Sequence, residues 1–278
     1  AALAALAARA EPAIWTIEKP NGATVTLFGS VHLLPDGESW RTKALARAYD
    51  KADVIVLETD LEAMQDAPMQ AYLAKKALNP PGVTLSSLLS EEQQETVSKG
   101  ASLAGLSLSA MEGFRPWFAA LQMSVAYALA QGYSPDRGVD KLIEAEGKAD
   151  GKAFDYFEKP REQLDLFIDL EDEQQIDFLV PGAEEMIERP DEMKKLVEAW
   201  QTGDVEAIDE LMNRGLAESP EVAKALLADR NARWAQKIED FYMKDLNSYL
   251  IVVGAGHLAG ETSVPALLRD AGIEVEGP

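Results

Sequence analysis

The stretch from Ser248 to Glu261, Ser-Tyr-Leu-Ile-Val-Val-Gly-Ala-Gly-His-Leu-Ala-Gly-Glu, restricts the fold more than any other. Tyr249 to Val253 is an unbroken apolar run, the pattern of a parallel strand buried on both faces. Gly254 and Gly256 follow at once, and His257 stands where such a strand opens into a loop. In open α/β sheets that carboxyl edge is where ligands bind. Far upstream, Val25 to His32 has the same form: an apolar strand, Gly29, two residues, then His32. The chain contains two histidines, and each follows a glycine by three positions. This repetition predicts that the two ends of the chain meet at one site.

The remaining chain fits an α/β frame. Ile14 to Glu18 and Ala23 to Phe28 are strand-like and flank Asn21-Gly22, a strong hairpin signal. Glu38 to Ala52 has helical spacing and leads into a buried strand, Asp53 to Glu58, with Asp60 just beyond. Strand, helix, strand predicts a right-handed parallel crossover, which puts Glu58 on the same sheet edge as His32. From Leu61 to Ala149 the pattern is helical, with Ser90 an N-cap and Phe114 to Gln131 an apolar helix. Lys152 to Phe157 is a short strand ending at Glu158, and Arg161 to Lys244 is helical again. Breaks are expected at Pro181-Gly182, Gly203 and Ser219-Pro220, and Gly272 to Glu276 is a last edge strand. The expected fold is therefore a small mixed, mainly parallel sheet built from both chain ends with a large helical insertion. Residues 11–278 form a single domain, its helical portion roughly 61–245.

Forty-eight acids against 26 bases leave a net charge of −22, which argues against nucleic acid or an anionic membrane surface as partner. With no cysteine, disulfides, thiolate nucleophiles and sulfur-ligated metals are excluded. No run is long enough to span a bilayer. The lead-in at residues 1–10 has the form of a signal-peptide remnant, with a small-x-small ending at Ala8-Arg9-Ala10. That predicts an exported, periplasmic protein.

Two imidazoles and one carboxylate at a sheet edge suit a divalent transition metal with positions left open for water. His32, Glu58 and His257 are the candidate ligands, and Asp60 the substitute carboxylate. Gly29, Gly254 and Gly256 would let backbone or ligand approach closely, and Gly256 is expected to be indispensable for presenting His257. Arg41 could reach back as an oxyanion clamp or lie at the surface. Arg115 and Asp140 could line the pocket or serve packing and capping, and Glu158 could supply a second acid or base. Ser30 lacks the Gly-x-Ser-x-Gly elbow of a nucleophile, and Gly254-Ala-Gly lacks the third glycine of a dinucleotide site.

Gly29 to His32, the strand-terminal Glu58, and Gly254-Ala-Gly-His257 with its following helix resemble the shared marks of the TraB/GumN family. That family is related to the Tiki metalloproteases. Pro116-Trp117, Gly138-Val-Asp140 and Arg230-Asn231 fit the same pattern, which spans essentially residues 13–276, whereas Phe154 to Glu158 departs from the usual Leu-Glu-Thr. The resemblance implies a metal-dependent hydrolase, of peptidase or esterase type, acting on a peptide or small-molecule substrate. His32, Glu58 and His257 would hold Mn, Co or Zn, with Arg41 or Asn231 steadying the oxyanion. The wider superfamily includes erythromycin esterases, in which a histidine acts as base without metal, and ChaN-like haem-binding proteins. A metal-free histidine esterase and a haem or small-ligand binding protein are therefore the alternatives.

Overall fold

The computed structural model describes residues 11–216 and 220–278; the lead-in at 1–10, and Ser219 of the expected Ser219-Pro220 break, lie outside the described residues. Seven strands occur among them: β1 (Ile14–Glu18), β2 (Thr24–Ser30), β3 (Leu34–Pro35), β4 (Val54–Leu57), β5 (Tyr133–Ser134), β6 (Ala153–Tyr156) and β7 (Tyr249–Gly254). Five of them form the main sheet in the order β1-β2-β7-β4-β6, while β3 and β5 pair separately. Only β1 runs antiparallel, hairpinned to β2 with Gly22 at φ +84°. The α/β class and the mixed, mainly parallel sheet agree with the sequence.

β7, late in the chain, lies at the centre between β2 and β4. Strand periodicity divides its side chains between two cores. Leu250 and Val252 join Phe28, Ile55 and Leu57 on one face, packed against Leu45, Ile143 and Trp200 from surrounding helices. Tyr249, Ile251 and Val253 join Val25, Leu27 and Val56 on the other, packed against Trp234, Ile238 and Leu268. Burial on both faces explains why these strands read as unbroken apolar runs.

The helical portion has a core of its own, in which the helices Glu91–Leu103, Pro116–Ala130 and Asp172–Glu188 pack together. Ser90 caps the first in a capping box with Gln93. Gly100 allows a close crossing, since a Cβ there would lie 2.9 Å from that of Ala183.

Three boundaries differ from expectation. Pro181-Gly182 does not break a helix but lies inside Asp172–Glu188, where burial of Leu179, Ala183 and Met186 outweighs the lost backbone hydrogen bond. The helix expected from Glu38 begins at Lys43, because the Thr42 side chain accepts from the Leu45 N–H and starts the helix there. The last strand reduces to a single antiparallel bridge between Glu276 and Thr16 on β1. Among the described residues, no helix is long and apolar enough to cross a membrane.

Candidate active site

Four neighbouring strands each deliver one polar side chain to the carboxyl edge of the sheet. His32 follows β2, His257 follows β7, Glu58 follows β4 and Glu158 follows β6. His32, Glu58 and His257 meet beside Gly254, where an added Cβ would lie 3.3 Å from Glu58 Oε1, 3.5 Å from His32 Nε2 and 3.6 Å from His257 Cδ2. The expected juxtaposition of His32, Glu58 and His257 is thus present.

Arg230 organises this cluster. It stands near the start of the helix Asp229–Lys237, which continues at both ends into π-helical turns, Lys224–Ala228 and Ile238–Tyr242. Its Nε donates to Glu158 Oε1 at 2.8 Å. One terminal nitrogen donates to Glu58 Oε2 at 2.6 Å and to Glu158 Oε2 at 2.9 Å. The other donates to the Leu226 carbonyl and to His257 Nε2, both at 3.1 Å. A guanidinium has five N–H donors, and all five are engaged. Trp234, one turn on, packs its ring 4.6 Å from the guanidinium carbon and 4.4 Å from the His257 ring. Arg230 is the main cluster residue that the sequence had identified only through family resemblance. The available signal was a charge on the buried stripe Arg230, Trp234, Ile238, spaced four residues apart.

Hydrogen bonds define the state of each imidazole. Asn231 Nδ2 donates to the Thr262 carbonyl at 2.9 Å, so its Oδ1 faces His257 Nδ1 and accepts at 2.6 Å. His257 Nε2 is then the unprotonated nitrogen, as an acceptor from Arg230 must be. Burial lowers the His257 pKa to about 4, against the opposing pull of Glu58, so the ring is neutral. His32 Nδ1 donates to Asp140 Oδ2 at 2.9 Å, leaving Nε2 turned towards Gly254. The Asp140 carboxylate raises the His32 pKa to about 9 against the effect of desolvation. The His32 side chain is 61% exposed, so water moderates that rise. Burial opposes ionisation of Glu58, but the charges of protonated His257, Arg230 and His32, with the Gly254 N–H, hold its pKa near 2.

These shifts set a pH window for stability. His257 protonates less readily folded than unfolded, so its contribution is complete above about pH 6.5 and is lost as the pH falls towards 4. His32 has the opposite sign: its contribution is present below about 6.5 and fades as the pH rises towards 9. Thermal melts across pH should therefore be highest near neutrality. A melting temperature that climbs steadily to pH 9 would contradict this arrangement.

Asp140 reaches His32 through a close backbone approach. The Val139 N–H donates to the Val31 carbonyl at 2.9 Å, docking the helix Val139–Ala149 beside the His32 loop. A Cβ on Gly138 would lie 2.6 Å from the His32 carbonyl oxygen and 3.0 Å from Asp140 Oδ1. Because the obstacle is backbone, Gly138→Ala must shift the helix start. That variant should lower the His32 pKa towards its ordinary value, measurable by NMR titration; an unchanged titration would show that the contact does not position Asp140.

Several residues singled out in the sequence lie elsewhere or do something else. Arg41 pairs with Glu146 and packs over Tyr49, away from the cluster, so it is no oxyanion clamp. Arg115 pairs with Asp172 instead of lining the pocket. Asp60 accepts from the backbone N–H groups of Glu62 and Ala63 and caps the turn Ala63–Gln65. Asn231 is engaged through both its oxygen and its nitrogen, so it orients His257 and is itself held by the Thr262 carbonyl. Gly29 packs against Ala255, and Gly256 against Met212. Gly254 alone of the three opens onto the cluster. Gly256→Val should accordingly cost about 1–3 kcal/mol by overpacking against Met212. Denaturant melts would measure this, with the His32 and His257 titrations unmoved.

The donors do not fit a transition metal as they stand. His257 offers Cδ2 towards Gly254, because its Nε2 accepts from Arg230. Glu58 is engaged by the Gly254 N–H at 2.7 Å, by Arg230, and by Gln163 at 3.2 Å. Arg230 supplies the cationic charge that a metal would bring. Among the described residues no group of three or more His, Cys, Asp or Glu is disposed to hold a metal ion.

A cavity of about 760 Å³ opens over the cluster. Its floor includes His32, Glu58, Arg230 and His257, and its walls include Met64, Leu121, Leu164, Phe167 and Leu226. Ser30 and Thr59 also border it; both hydroxyls are buried and have no hydrogen-bond partner among the described residues.

The sequence is similar to proteins of two bacteria. The uncharacterized protein YbaP of Escherichia coli (strain K12) is 22% identical over 258 residues, covering 93% of this chain and 92% of the relative. The protein of the same name from Shigella flexneri matches to the same extent. The model of the TraB/PrgY/gumN family matches residues 13–277, and the chain belongs to that family.

Proposed function

We propose that this protein hydrolyses an ester or amide bond, with His32 as general base towards a water molecule and Asp140 as its positioning partner. The observation that carries this reading is the His32–Asp140 pair in the lining of the cavity. Its Nδ1 is held at 2.9 Å by a carboxylate, and its Nε2 faces the cluster. In the neutral ring Nε2 takes a proton as water adds to the carbonyl carbon. Asp140 stabilises the imidazolium so formed, which returns the proton to the leaving oxygen or nitrogen as the scissile bond breaks. Arg230, with all five donors engaged, holds Glu58, Glu158 and His257 in place and does not itself grip the oxyanion.

The metal-dependent hydrolysis expected from the family resemblance is the competing form of this reading. Protein purified without a histidine tag would be treated with a chelator, analysed for metal, and assayed on 4-nitrophenyl esters and anilides. Persistent turnover at substoichiometric metal supports the His32 base. Activity restored only by added Mn, Co or Zn overturns it in favour of a metallohydrolase. A Soret band with no turnover overturns it in favour of haem binding.

A further inference from the structure

The cavity over the cluster is built for an uncharged apolar group. Its walls carry Met64, Leu121, Leu164, Phe167 and Leu226, drawn from four separate stretches of chain. Each lysine or arginine that lines it is already paired with a carboxylate. Lys141 reaches Asp136 at 2.5 Å, and Lys148 reaches Glu62 at 2.7 Å and Glu144 at 3.2 Å. Arg230 is shared between Glu58 and Glu158 with every N–H engaged. His32, the remaining group able to carry positive charge there, is held by Asp140.

Four acids line the cavity (Glu58, Glu62, Asp140 and Glu144) against three fixed cations and His32, whose charge Asp140 matches, in a protein of net charge −22. A carboxylate or phosphate entering it would lose its hydration and meet only cations that already face a carboxylate of the protein, His32 among them through Asp140. An uncharged apolar group gains from burial against the wall at no such cost. The volume lies within the range of small-molecule sites.

We infer that the substrate is an ester or amide with an uncharged, medium-chain aliphatic or aromatic acyl group, and that substrates bearing a carboxylate or phosphate near the scissile bond are rejected. This rests on the proposed hydrolase reading for the reaction, but the binding preference is measurable without turnover.

Titration calorimetry with octanamide and octanoate separates the two charge classes on one chain length. The wild type should bind octanamide at least about tenfold more tightly than octanoate. Leu121→Phe, which fills the wall, should weaken octanamide several-fold while the melting temperature holds. Glu62→Gln combined with Glu144→Gln removes two acids and leaves Lys148 only Asp60, at 3.8 Å, and should narrow the gap by strengthening octanoate. Octanoate binding as tightly as octanamide, or no octanamide binding, would overturn the inference. Indifference of octanamide to Leu121→Phe would also overturn it. If octanamide behaves as expected but 4-nitrophenyl octanoate and octanoyl anilide are not hydrolysed, the hydrolase reading fails and the binding preference stands. If they are hydrolysed without any preference for the uncharged ligand, the reverse holds.

Discussion

Arg230→Met will be the most destabilising change to the site, lowering stability at pH 7 by about 3–5 kcal/mol, the cost of removing one partner from a buried ion pair. The substitution keeps much of the apolar stem over Trp234 but leaves Glu58 buried without its guanidinium and Glu158 with only the more distant Arg233, at 3.5 Å. Arg230→Lys should recover only a small part of the loss, because an ammonium offers three donors and no planar fork. The deficit should shrink in acid. In the wild type, the stability contributed by ionised Glu58 is lost as the pH falls from its unfolded value towards 2. In the variant, burial acts on Glu58 without Arg230 to oppose it, so protonation relieves the strain at a higher pH. Denaturant melts at pH 7 and pH 4 measure both effects. A loss below about 1 kcal/mol at pH 7 would mean that Arg230 does not hold the cluster together.

His32→Ala will have the largest effect on turnover with little effect on the fold. Loss of a general base lowers kcat/KM by about 10²–10⁴-fold. The side chain is mostly exposed and makes its described hydrogen bond to Asp140, so the melting temperature should barely move. Wild-type activity should rise with pH towards about 9 as His32 loses its proton. Asp140→Asn should move that rise towards the ordinary imidazole range and lower the plateau, because the partner no longer favours the imidazolium. Full activity in His32→Ala, or a pH profile unmoved by Asp140→Asn, would exclude His32 as the base.

The frame was legible because strand patterns are local and His32, Glu58 and His257 each end an apolar run. A parallel sheet then brings their carboxyl ends to one edge by topology alone. What was not legible depends on side-chain direction across the gaps. His257 looks like a metal ligand as a residue type, but Asn231 and Arg230 determine which atom it presents. Arg41 follows His32 closely in sequence, yet Glu146 and Tyr49 draw it away. Gly254 and Gly256 stand two residues apart at the same strand end, and only the packing of Met212 shows that they serve different neighbours. Pro181 read as a stop because the tertiary contacts of its helix could not be seen in the local pattern.

β7 is central in space but the last of the seven described strands in chain order. During synthesis, β2 and β4 must therefore leave the ribosome well before the strand that joins them, each with an open hydrogen-bonding edge. Their contacts with β7 are long-range in sequence, and such pairings form slowly. A nascent chain that stops short of Tyr249 lacks both the sheet's centre and His257, so partial translation products lack the complete candidate site. They also carry apolar strand edges suited to aggregation until the β7 segment emerges and covers them.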